Sequence, residues 1–110
     1  MDRPGEFTKR PGDAFVAAVE MKHWPMKAGD FLVASNARGD LGVLIEDESG
    51  ADVTSSVGDG NPPWIEGAGQ TQIAFWLVGG AVEARYKIVV TGPTNAGELL
   101  TGVAYLTIRP

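Results

Sequence analysis

The chain has no cysteine among its 110 residues. That excludes a disulfide framework, a thiolate zinc site, an iron-sulfur cluster and a thiol nucleophile. Histidine occurs once, at His23, so any Ser-His-Asp machinery must use it, with Ser35, Ser49, Ser55 or Ser56 as nucleophile. No Gly-x-Ser-x-Gly elbow is present, and a single histidine beside Trp24-Pro25 reads as a turn residue rather than a general base. Basic residues are also few: 9 Lys plus Arg against 14 Asp plus Glu leave a formal net charge of -5. Phosphate backbones are bound by neutralising them with Lys and Arg, so nucleic acid is not the expected ligand. Long apolar runs are missing too. The longest, 73–82, is broken by Gly79-Gly80 and falls short of the ~20 residues a membrane-spanning helix needs, so no membrane partner is expected. The opening Met1-Asp2-Arg3-Pro4-Gly5-Glu6 lacks the apolar core of a secretory signal, which predicts a product assembled in the cytoplasm.

What the chain does have is punctuation. Its 15 Gly and 7 Pro divide it too often for long helices and favour short strands joined by turns. Residues 1–12 hold Pro4-Gly5 and Pro11-Gly12 with little apolar content besides Phe7, and read as a flexible N-terminal arm ahead of one domain, 13–110. Within that domain, apolar runs at 14–21, 31–34, 41–45, 53–57, 72–78, 84–90 and 102–108 alternate with turn signals. About seven antiparallel strands at such short spacing predict an all-β sandwich. The run 14–21 also fits a helical stripe, but its β-branched residues and the Trp24-Pro25 stop favour a strand. Period-two alternation places Ile73, Phe75 and Leu77 on one face, opposite Trp76 and Val78. In the same way Tyr86, Ile88 and Val90 face away from Lys87 and Val89, and Ala104, Leu106 and Ile108 away from Arg109.

The densest acidic stretch is Glu46-Asp47-Glu48-Ser49-Gly50-Ala51-Asp52, but it lacks the EF-hand spacing and reads as an exposed hairpin turn. Gly58-Asp59-Gly60 and Gly67-Ala68-Gly69 are not followed by Lys-Ser/Thr or by a third glycine opening a helix, so they read as loops rather than phosphate cradles. Arg38-Gly39-Asp40 spells an integrin-binding tripeptide, but Gly-Asp is also an ordinary turn pair. None of these supplies a catalytic residue, a cofactor site or a metal site.

The residues with most functional content are tryptophans, which anchor interfaces by burying a large area at low entropic cost. Trp64 follows Asn61-Pro62-Pro63, and Trp76 lies on a strand face that would be polar in a lone monomer. The candidate partner-binding residues are therefore Trp64 and Trp76, with Val78 and Val89 on outward faces. The alternative is that one tryptophan fills the core and the others cover loops.

Several stretches together resemble a known family. Phe75-Trp76-Leu77-Val78-Gly79-Gly80, then Tyr86-Lys87-Ile88-Val89-Val90-Thr91, a Thr94-Asn95-Ala96-Gly97 turn and a final Leu106-Thr107-Ile108-Arg109 make up its C-terminal part. Lys9, Pro11-Gly12, Trp24 and Gly29-Asp30 add to it upstream, although His23 stands where an Asp often precedes the tryptophan. The pattern resembles the small immunoglobulin-like structural proteins of tailed bacteriophages and prophages, of the fibre-tail adaptor or head-tail connector type. The resemblance implies an immunoglobulin-like β-sandwich, no enzymatic activity, and a place in the virion after assembly in the host cytoplasm. Its partners would be other virion proteins or copies of itself. A second reading is an immunoglobulin-like carbohydrate-binding or adhesion module, whose tryptophans stack on sugar rings.

Overall fold

A computed structural model describes residues 5–23 and 26–110; residues 1–4, Trp24, Pro25 and the His23 side chain lie outside the described residues. In chain order the elements are β1 (Glu6–Lys9), β2 (Phe15–Glu20), a 3-10 turn (Met21–His23), β3 (Ser35–Asn36) and β4 (Gly39–Asp40). There follow β5 (Gly42–Glu46), a one-turn helix α1 (Thr54–Val57), β6 (Trp64–Glu66), β7 (Gln72–Leu77), β8 (Arg85–Pro93) and β9 (Leu99–Ile108). The molecule is an all-β sandwich. One sheet runs β1-β9-β8-β5, the other β2-β7-β6, with β3-β4 as a small hairpin.

The predicted alternation sets the core. Ala17 and Val19 of β2 and Ile73, Phe75 and Leu77 of β7 are buried against Ile45 of β5, Tyr86, Ile88 and Val90 of β8, and Ala104, Leu106 and Ile108 of β9. Burying two rows of branched and aromatic side chains between pleated sheets is the main stabilising contribution in such a fold. The strand order β2-β7-β6 against β5-β8-β9 is the B-E-D against C-F-G order of constant-type immunoglobulin domains. The hydroxyl of Tyr86, near the start of β8, accepts a 2.8 Å hydrogen bond from the Ala81 amide in the preceding corner. The bond has the geometry of a tyrosine corner, a hydroxyl tied back to the backbone a few residues upstream. Ile88, two residues further on, is fully buried in the core between the sheets.

Several expectations are corrected. The arm expected at 1–12 is not an arm over Glu6–Lys9: β1 pairs in parallel with β9 from Glu6 opposite Tyr105 to Lys9 opposite Ile108. Phe7 points inward and meets Phe75 edge-on at 6.5 Å, adding an aromatic contact to the backbone ladder that holds this short segment in the sheet. That pair also breaks the expected all-antiparallel pattern. The strand expected at 31–34 is loop, because Leu32 makes only a single bridge to Thr94 while its side chain enters the core. The strand expected at 53–57 is α1: the Asp52 carboxylate accepts from both the amide and the hydroxyl of Thr54, starting a turn that buries Val57. The short strand β6 carries no alternation long enough to predict it.

Candidate functional site

Cross-strand register brings the apolar outward residues of the three-stranded sheet together. Val16 lies opposite Trp76, Ala18 opposite Ala74, and Ala74 opposite Trp64 on its other side. Each of these positions alternates with a core residue, so all point away from the other sheet. Trp76 and Val16 are 38% and 39% exposed, whereas Trp64 is half-buried. Ala74 is fully buried despite facing outward, which means that its larger neighbours roof its methyl group. The Trp64 indole Nε1 donates to Glu66 Oε1 at 2.8 Å, tying the ring along its own strand. The result is an apolar strip with a polar rim at Glu66 and at Glu20-Gln72.

The opposite face of the sandwich carries a second strip. Leu44, Val89 and Val103 lie side by side across β5, β8 and β9. A polar row of Glu46, Lys87, Tyr105 and Glu6 borders it. There the Arg85 guanidinium stacks on the Tyr105 ring at 4.4 Å and pairs with Glu6 at 3.5 Å. Among the four candidate residues, therefore, Trp64 and Trp76 share one face and Val89 belongs to the other. Val78 lies just past the end of β7, half-buried, with its amide donating to the Val57 carbonyl. Val16, Ala18, Leu44 and Val103 join these strips only through register, which no single strand's alternation reveals.

The acidic stretch serves its own turn. Asp47 Oδ1 accepts from the Ser49 amide, the Ser49 hydroxyl and the Ala51 amide. The Ser49 hydroxyl and the Ala51 amide hold the Asp47 carboxyl below its usual range; for Asp52 the Thr54 hydroxyl and amide do the same. Among the described residues no three His, Asp or Glu side chains converge closely enough to hold a metal ion. The Arg38-Gly39-Asp40 segment is engaged internally, with Arg38 Nε donating to the Gly97 carbonyl and Asp40 Oδ1 accepting from the Ser35 hydroxyl. An open cleft lies between Lys22, Lys27, Asp30 and Thr71. Asp30 Oδ1 accepts from the Phe31 and Ala96 amides, and its Oδ2 is buried. His23 and Trp24 belong to the segment whose side chains are outside the described residues.

No protein-family model matches the chain, and no curated protein matches it.

Proposed function

We propose that this chain is a structural subunit of a tailed-phage virion that acts by protein-protein binding, as an adaptor, connector or capsid or tail accessory subunit. The observation that carries the binding role is the exposed strip Val16-Trp76 with Trp64 on the same sheet face. A monomer in water gains nothing from holding Trp76 and Val16 against solvent on adjacent strands, whereas a docked partner would bury both. The virion setting is supported by the likeness of 75–80, 86–91, 94–97 and 106–109 to the phage immunoglobulin-like proteins. The reading assigns no catalytic residue, and it places the protein in the particle after assembly in the host cytoplasm. Quantitative mass spectrometry of phage particles induced from the source organism tests it. A fixed copy ratio to the major capsid protein is expected, and absence from intact particles would overturn the virion role.

One observation favours the carbohydrate reading: two tryptophans share one sheet face, where sugar rings could stack on them. Titrating oligosaccharides while following tryptophan fluorescence decides it. Saturable quenching would favour the sugar module, and a flat response would remove it.

A further inference from the structure

Edge strands expose unpaired backbone groups, and proteins normally guard them. Of the four edges of the two sandwich sheets, three are guarded. On β1 the Lys9 side chain points inward and is buried, its ammonium reaching the Arg10 carbonyl. On β5 the segment after the acidic turn comes back along the edge, with the Val53 amide on the Ile45 carbonyl and the Thr54 hydroxyl accepting from the Ile45 amide. On β6 the strand is only 3 residues long and follows Pro62-Pro63.

The β2 edge differs. In constant-type immunoglobulin domains a first strand pairs beside this one; here β1 belongs to the opposite sheet and β2 ends its own. The strand runs Phe15-Val16-Ala17-Ala18-Val19-Glu20, six residues without Lys, Arg, Pro or Gly. The Met21 amide donates to the Thr71 carbonyl in continuation of the β2-β7 register. In an antiparallel ladder alternate residues turn their backbone groups toward the partner strand. Ala17 and Val19 therefore direct theirs at β7, and Val16, Ala18 and Glu20 direct theirs outward. Among the described residues no backbone bond reaches those outward groups.

We propose that the β2 edge pairs with the β2 edge of a second copy of this chain, antiparallel about a two-fold axis through Ala18. This deepens the binding role above by naming one partner, and it rests on that reading. The register is chosen by the strand itself. A two-fold axis normal to the sheet requires that residues meeting across it share a face. Centring it on Ala18 sets Ala18 against Ala18 and Val16 against Glu20. Every outward N-H and C=O of Val16, Ala18 and Glu20 then finds a partner on the other copy. A small side chain sits on the axis, where cross-strand Cβ atoms come within about 5 Å. Glu20 does not obstruct the approach, because its carboxylate is folded back onto the Lys22 amide and Gln72. The product is a continuous six-stranded sheet, β6-β7-β2-β2-β7-β6, with the Trp76 strips of both copies on one side.

Sedimentation equilibrium on the purified chain tests this. The native protein is expected at twice the monomer mass. Ala18→Lys and Ala18→Asp place like charges on the axis and should each sediment as folded monomers, while an equimolar mixture of the two should recover the dimer mass. Circular dichroism of each variant separates loss of pairing from loss of fold. Ala18→Ser, uncharged and small, should remain dimeric and serves as the control if either charged variant fails to fold. A native protein that stays monomeric would overturn the self-pairing. So would a charged variant that stays dimeric, or a mixture that stays monomeric. A monomer still present in particles at fixed ratio would leave the virion role standing without the dimer.

Discussion

The Tyr86 hydroxyl accepts the Ala81 amide in the corner between β7 and β8, and the ring is buried against the core. Tyr86→Phe leaves that amide without its partner and is expected to cost about 1–3 kcal/mol, read from the urea midpoint at unchanged m-value. The corner also depends on two glycines for different reasons. Gly80 has φ +124°, and a Cβ there would lie 2.7 Å from the Ile108 side chain. Gly79 presses against the Ser56 carbonyl, where a Cβ would collide with backbone. Tyr86 and this glycine pair are legible in the sequence, because a tyrosine in phase with Ile88 and Val90 has to point inward. The collision partner of Gly79 is not legible, since α1 reaches it only in the folded chain. Phe75 is a plainer core residue. Phe75→Ala should cost about 3–5 kcal/mol by the same measurement, and a neutral result would mean that the strand phase is wrong.

At the level of elements, alternation is most informative where a strand is long and has one wet face. For that reason β7, β8 and β9 follow the expected phase, and β2 is a strand rather than a helix. It fails where a segment is short or is set by contacts outside its own pattern. The ladder to β9 and the Phe7-Phe75 contact hold β1 in the sheet, Asp52 turns 54–57 into a helix, and β6 is too short to show a period. The candidate strip was legible only in part. Trp64 and Trp76 can be picked out by residue type, but their meeting across Ala74, and the company of Val16 and Ala18, depend on strand register. We expect Trp76→Ala and Trp64→Ala each to leave the circular dichroism spectrum native while weakening binding to a virion partner. Unfolding of both variants would make these residues core and withdraw the strip as a docking surface. Trp64→Ala also frees Glu66 from its indole contact, so Glu66→Gln, which keeps an acceptor for the indole N-H, should weaken binding less.

The whole molecule carries a net charge of -5, and several of its carboxylates are tied to backbone amides and hydroxyls. Asp47 and Asp52 both lie below the usual carboxylate range, through the Ser49 and Thr54 hydroxyls first of all. A carboxyl whose pKa is lower in the folded state favours folding above its unfolded pKa, near 3.9, and loses that contribution as pH falls through the folded value. The melting temperature should therefore drop as the pH falls below about 4, and Asp47→Asn should make that drop shallower. The central claim is that the sandwich acts by docking, with the Val16-Trp76-Trp64 strip buried against a partner. Hydroxyl-radical footprinting of the free chain and of the same chain within purified particles tests it most directly. The account predicts that Trp76, Trp64 and Val16 are labelled readily in the free protein and protected in the particle, while exposed Val82, which lies off the strip, is labelled in both. Equal labelling of Trp76 in the two states would contradict it.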